Sequence, residues 1–371
     1  MNRARILALA GAAFVSGCSL LAPPIDDEQA TEAVSIVLPR GEAVTVHRYS
    51  LESPGQTVVG DTQVIVARDA DTFSDIARSY GLGYDELKNA NPDVDPWLPG
   101  EGTEILLPTR FVLPESPQEG IVLNIAAKRL YWFPPVEEGA TQEVVTYPIG
   151  IGRVGWATPV GDSKVIAKAK DPAWYVPASV RKEHREAGDP LPAVVPAGPD
   201  NPLGRHVLKL DMPGYLLHGT NQPYGVGMRV SHGCVRLYPE DIEALYAVAG
   251  LGTPVKIINE PIVAGWRDKQ FYVVAYPPLE DDSRADDERF SDALAAIRDR
   301  HWMLRDAAGE AWLAAVTRVS DGVAYAADSK TLDAGARLVD NLTQEPEDGP
   351  SRSEVTEMME AMMASPDGSG G

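Results

Sequence analysis

Hydrophobic and polar positions alternate along this chain with two different periods, and the changes of period divide it into five segments. An apolar run from Ile6 to Val15 follows Arg3 and Arg5. It is far shorter than the ~20 residues a membrane span requires, so residues 1–17 read as a signal peptide. Pro, Gly and acidic residues then dominate 18–61, broken by short apolar patches such as Val34 to Leu38. This stretch is expected to be a tether with at most one strand. From residue 62 the pattern sharpens. Val64 and Val66 alternate as in a strand, and Phe73, Ile76, Ala77 and Tyr80 mark the face of a helix that Asp71 or Thr72 can cap. Gly81 stops it, Tyr84 to Leu87 begin a second helix, and Asn91-Pro92 end that one. Pro99-Gly100 make a turn before a closing strand at Ile105 to Leu107, giving a βααβ plan over 62–108.

Residues 118–259 carry the strongest strand signals. Ile121 to Ile125 and Arg129 to Phe133 flank a short turn, and Val144 to Ile149, Lys164 to Lys168, Val207 to Leu210 and Tyr215 to His218 continue the pattern. Gly and Pro punctuate these runs, and only Pro239 to Ala249 reads as a convincing helix. Many short strands with turns imply a mainly β domain of sandwich or barrel type rather than a βαβ fold. Residues 260–371 open with a hairpin-like stretch, Ile262 to Tyr276. From Glu280 onward they become acidic and helix-prone, with 21 acidic residues against 9 basic ones. The last dozen residues, rich in Ala, Ser, Asp and Gly, are expected to be disordered.

Composition excludes several classes. The chain of 371 residues has 44% hydrophobic and 23% charged residues, which is ordinary for a globular protein of two or three domains. Its net charge of −21 argues against binding nucleic acid, where cations must neutralise phosphates. With only Cys18 and Cys234, neither a disulfide-stapled fold nor a Cys-rich zinc module is possible. An exported chain matures in an oxidising compartment. A cysteine left there without a partner is either a small buried hydrophobe or a thiol kept for its chemistry.

Candidate chemistry concentrates between Tyr215 and Leu237, in YLLHGTNQPYGVGMRVSHGCVRL. A Cys nucleophile needs its thiolate, which an imidazole in hydrogen-bond reach can generate. His218 ends an apolar strand 16 residues before Cys234, His232 lies two before it, and Gly219, Gly225 and Gly227 let the intervening loop fold back. Gly233 leaves room for backbone N–H groups to face a developing oxyanion. Three arrangements fit the spacing: nucleophilic Cys/His catalysis, a zinc site of His218, His232 and Cys234, and a buried Cys beside satisfied histidines. The zinc arrangement is disfavoured by the short His-x-Cys gap.

Three resemblances narrow these readings. Val15-Ser16-Gly17-Cys18 resembles the lipobox of bacterial lipoproteins, which implies a lipidated Cys18 as mature N-terminus; Ser19 after it implies the outer membrane by the Gram-negative sorting rule. Residues 62–108, with DTFSDIARSYG, LKNANP and ILLP, resemble the LysM module, a binder of peptidoglycan glycan. Its turn is Arg68-Asp69-Ala70-Asp71-Thr72 where LysM usually carries PGDT, which implies weak binding.

Ser231-His232-Gly233-Cys234 resembles the SHGC signature of the YkuD-type L,D-transpeptidase domain, and His218-Gly219-Thr220 its upstream histidine motif, the similarity covering most of 118–259. It is strongest to the Gram-negative enzymes that anchor murein lipoprotein to peptidoglycan. Many relatives carry Asn where this chain has Arg236, while the enterobacterial type has Arg. The resemblance implies Cys234 as nucleophile, His218 as general base oriented through the Gly219 carbonyl, and a site framed by Ser231, His232 and Gly233, with Gly233 and Cys234 N–H groups at the oxyanion. Arg236 becomes a candidate for a substrate carboxylate, and no metal or cofactor is required. The implied reaction is attack on the third residue of a tetrapeptide stem, loss of D-Ala, and transfer to an amine of a diamino acid or of a lipoprotein lysine, in the periplasm. Hydrolysis of the same bonds and a catalytically silent wall-binding protein are the alternatives.

Overall fold

The structure, a computed structural model, describes residues 33–37, 43–284, 286–298 and 302–328. The signal segment, Cys18, Ser19 and the final acidic residues lie outside them. Two strands come first, β1 (Ala33–Val37) and β2 (Ala43–Ser50). The next unit runs β3 (Gln63–Val66), α1 (Phe73–Ser79), α2 (Tyr84–Ala90) and β4 (Glu104–Leu107), with β3 and β4 paired antiparallel. Of the two expected caps for α1, Thr72 serves: its Oγ1 accepts the Asp75 N–H at 3.3 Å and its own N–H donates to the Asp75 carboxylate at 3.3 Å.

The long β region follows as β5 (Gly120–Asn124), β6 (Arg129–Phe133), β7 (Glu143–Pro148), β8 (Gly161–Lys170), α3 (Ala178–Glu186), β9 (His206–Leu210), β10 (Leu216–His218), β11 (Val235–Arg236), α4 (Pro239–Val248) and β12 (Pro254–Ile258). These strands join β1 and β2 in one ten-stranded mixed sheet, in the order β1-β2-β7-β6-β5-β12-β8-β9-β10-β11. The chain is therefore mainly β. Within the expected tether of 18–61, the described residues 43–50 are sheet instead, because β2 pairs with β7 from His47↔Thr146 to Ser50↔Glu143. Its partner lies about a hundred residues away, so no local signal announced the pairing. Helix α3 was also unexpected: its residues are mostly charged and only Val180 is buried, so no apolar stripe marks it.

Strand β6 shows what its unbroken apolar run is for. Leu130 and Trp132 face a core shared with Ile121, Leu123, Leu217, Val235 and Leu245, while Tyr131 and Phe133 face a second core on the other side. That second core includes Phe73, Ile76, Leu82 and Leu87 from the helices of the 63–107 unit. The unit thus closes its apolar face against the sheet. Burying each such side chain contributes about 1.5–3 kcal/mol.

The expected hairpin after residue 260 is β13 (Ile262–Arg267) and β14 (Gln270–Ala275), joined by Asp268 and Lys269 at φ of 51° and 68°, the conformation a two-residue primed turn requires. Beyond it the acidic stretch folds further than its composition implies. Helices α5 (Asp286–Arg298) and α6 (Ala307–Val319) precede β15 (Ala324–Ala326), which adds a third strand to the hairpin. Fully buried Trp312 on α6 anchors that core with Phe271, Val273 and Tyr325.

Candidate active site

β10 and β11 are parallel neighbours in the register Leu217↔Val235 and His218↔Arg236. Alternate residues of a strand share a face. Leu217 and Val235 therefore point into the main core, where both are buried, and His218, Arg236 and Cys234 point the other way. That way lies a cavity of about 570 Å³ lined by all three, by Trp156 and Trp174, and by Val180 and His184 of α3. The structure brings together His218 and Cys234, 16 residues apart, by pairing short strands rather than by any local turn.

His218 is buried, and its Nδ1 lies 2.6 Å from the Gly219 carbonyl oxygen. A carbonyl only accepts, so Nδ1 carries the proton and Nε2 is left as a base. Burial, reinforced by the Arg236 guanidinium, lowers the His218 pKa to about 4, against the smaller opposing effect of the Gly219 bond. The Cys234 thiol is pushed up by burial, with the Leu216 backbone N–H and Arg236 acting in the opposite sense. Its Sγ donates to the Gly214 carbonyl at 3.6 Å. The resting pair is neutral: a thiol and an unprotonated imidazole.

The Ser231-His232-Gly233 segment is held by its own bonds. Ser231 Oγ donates to the Cys234 carbonyl at 2.5 Å and accepts the Gly233 N–H at 3.1 Å. The Gly233 N–H, expected at the oxyanion, is thereby already engaged. Gly233 sits at φ +102°, and a Cβ there would come 3.1 Å from the Tyr215 ring, so the turn that presents Cys234 needs glycine. The Gly233 carbonyl accepts from Thr158 Oγ1 at 2.9 Å.

His232 lines the same cavity as Cys234, with its ring nitrogen engaged on α3. Its Nε2 lies 3.1 Å from Glu183 Oε2 on α3 and 3.0 Å from Arg153 Nη2, and its ring meets Trp156 edge-on at 4.9 Å. Arg153 also pairs with Glu183, and with His232 it holds that carboxyl below its ordinary range. Burial, then Arg153, lower the His232 pKa, while Glu183 acts to raise it. Among the described residues no three His, Cys, Asp or Glu side chains form a metal-binding group, so His218, His232 and Cys234 are not gathered as the zinc arrangement would require. Glu183 escaped the sequence reading in a charged stretch and Arg153 as a lone charge in a Gly-rich apolar one, neither within a motif. Arg236 is half-buried beside the thiol, its buried Nε has no hydrogen-bond partner among the described residues, and burial lowers its pKa.

Comparison with known proteins places this site in context. Residues 118–257 match the family model described as YkuD, L,D-transpeptidase catalytic domain. Over 235 residues, 62% of this chain, the sequence is 43% identical to the Escherichia coli protein named probable L,D-transpeptidase YbiS, covering 75% of it. Identity is 42% to the probable L,D-transpeptidase YcfS of E. coli, 71% of which is covered. The probable L,D-transpeptidase ErfK/SrfK of Salmonella typhimurium is 39% identical over 217 residues, 58% of this chain and 69% of that protein.

Proposed function

This chain belongs to the L,D-transpeptidase family and is an L,D-transpeptidase acting on peptidoglycan, and from that premise we propose the roles of its residues and the bonds it exchanges. Cys234 Sγ attacks the carbonyl carbon of the third residue of a tetrapeptide stem while its proton passes to His218 Nε2. The tetrahedral oxyanion is met by the Cys234 backbone N–H, since that of Gly233 is held by Ser231 Oγ. Collapse breaks the peptide bond. The departing D-Ala amine takes the proton from His218, and a thioester remains. An acceptor amine then attacks the thioester carbonyl and gives a proton to His218. The new amide forms as the C–S bond breaks, and the departing sulfur takes that proton back to restore the thiol. The observation that carries this reading is the pairing of β10 with β11, which sets an imidazole with a bare Nε2 and a half-buried thiol on one face of the sheet, toward one cavity.

Walls of Trp156, Trp174, Val180 and Leu191 limit the water available to the thioester and favour an amine over hydrolysis. The unpaired Nε of Arg236 suits a substrate carboxylate. His232 supports the site through Glu183 and Arg153. The 63–107 unit recognises glycan in the manner of LysM, weakly, and lipidated Cys18 holds the protein at the outer membrane, where a lipoprotein lysine is one acceptor. Mass spectrometry of muropeptides from cells with the wild-type protein and with Cys234→Ala tests the reaction. Cross-links or lipoprotein-linked muropeptides must disappear with the thiol; their persistence refutes it. Metabolic labelling with a fatty acid that persists in Cys18→Ala refutes the anchor.

A further inference from the structure

The cavity wall that faces the nucleophile is built by the loop between β10 and β11, which brings Gln222, Tyr224, Gly225 and Met228 into the lining. The back of this loop rests on the 63–107 unit. The Tyr84 N–H, at the start of α2, donates to the Val226 carbonyl at 3.2 Å. Gly83 and Gly227 meet backbone to backbone. A Cβ on Gly83 would stand 2.7 Å from Gly227 Cα, and one on Gly227 would stand 2.4 Å from Gly83 Cα.

α2 is tied to the sheet behind it by the Glu86 carboxylate, and beside it Asp85 accepts from Lys128 Nζ at 2.6 Å. Glu86 Oε2 accepts the Gly83 N–H at 2.6 Å and Arg129 Nη2 at 2.9 Å, and its Oε1 accepts Arg129 Nε at 2.7 Å. Arg129 belongs to β6, is almost wholly buried, and donates also to the Gly81 carbonyl at 3.0 Å. Arg78 forks onto Glu240 of α4 at 2.9 and 3.0 Å, and Tyr238 Oη donates to the Leu82 carbonyl at 3.1 Å. A buried ion pair contributes little net stability over an apolar packing, but it fixes geometry. Here it fixes how α2 presses on the loop.

Resting on the function proposed above, we infer that the 63–107 unit, proposed to bind glycan, also buttresses a wall of the active site from behind, and that Gly83 and Glu86 are positioning residues for the loop 219–228. An ångström of displacement in a substrate-positioning wall can cost a hundredfold in rate. The unit therefore acts on substrates that carry no sugar.

The test uses the full chain and a soluble tetrapeptide donor without glycan, so that sugar binding cannot contribute. Gly83 has φ −88°, which alanine adopts freely, so Gly83→Ala moves the loop without straining the unit's own backbone. It should lower kcat/KM on the peptide tenfold or more, chiefly through KM. Alkylation of Cys234 by iodoacetamide should stay within twofold, because β10 and β11 are untouched. Unchanged kcat and KM in a folded Gly83→Ala protein overturn the inference. Hydrogen exchange supplies the second arm, needed if that variant does not fold. Residues 219–228 should exchange slowly in the wild type and quickly in Glu86→Gln, with β5 and β6 protected in both. A loop that already exchanges within seconds in the wild type overturns the inference. If the wild type does not turn over the peptide, the proposed reaction fails, while the exchange arm still reports on the wall.

Discussion

The neutral resting state of Cys234 and His218 has a measurable consequence. Moving the proton from sulfur to imidazole must overcome the gap between a His218 pKa of about 4 and a thiol raised above its ordinary 9.0. That gap is at least five pKa units, or about 7 kcal/mol. The attraction between the resulting charges, even in contact at ~4 Å, returns about 4 kcal/mol at a protein dielectric of ~20. A deficit of about 3 kcal/mol leaves roughly one molecule in a hundred as the ion pair. The ion pair holds the same proton as the neutral pair. Alkylation of Cys234 by iodoacetamide in the folded protein should therefore stay low and nearly flat from pH 5 to 7, at about a hundredth of its high-pH rate, and climb about tenfold per pH unit above that as the thiol ionises outright. Removing the nearby cation in Arg236→Met should move both pKa values upward, since the guanidinium lowers each of them. With peptide substrate, kcat/KM should fall only as the pH drops through about 4, where His218 ceases to be a base. Alkylation between pH 5 and 7 that already runs within about threefold of the high-pH rate would show a preformed thiolate and refute the reasoning.

Cys234→Ala should abolish acyl-enzyme formation, read as a mass adduct, whereas His218→Ala should remain folded, react slowly near neutrality, and recover part of its rate as pH rises and ionises the thiol. Equal activity of His218→Ala and wild type would remove His218 from its role. His47 is buried between the Tyr80 carbonyl and Tyr49 Oη, and its pKa is lowered to about 3, by burial first and Arg129 second. The unfolded chain thus binds a proton below pH 6.5 that the folded state refuses, so this part of the stability is intact above 6.5 and lost as pH falls toward 3. Urea unfolding should show wild type losing about 2 kcal/mol more than His47→Gln between pH 7 and 5. Trp312→Ala should destabilise the C-terminal layer by about 3–5 kcal/mol, read as accelerated hydrogen exchange in β14 and β15; no change would mean that the layer does not depend on this core.

How much of this protein can be read along its chain follows the range of the forces involved. The β5–β6 hairpin, β9, β10, α4 and the β13–β14 hairpin are written in short apolar runs with Gly and Pro between them, because backbone propensity and one-sided or two-sided burial act over a few residues. Cys234 and His218 were legible for a related reason: reactive side chains in a glycine-rich loop at a strand end form a local pattern. β2 alternates Val44 and Val46 as a strand does, but its pairing has no such mark, since its partner β7 supplies the hydrogen bonds from about a hundred residues away. α3 has none either; its place over the cavity is set by Glu183 meeting Arg153 and His232. Arg129 looks like an edge residue of an apolar strand until Glu86 arrives from another unit to neutralise it. The same holds for ionisation. Sequence names a thiol and an imidazole, but desolvation decides that both are neutral at rest, with Arg236 reinforcing it at His218 and opposing it at Cys234, and these are properties of a folded interior rather than of neighbours in the chain.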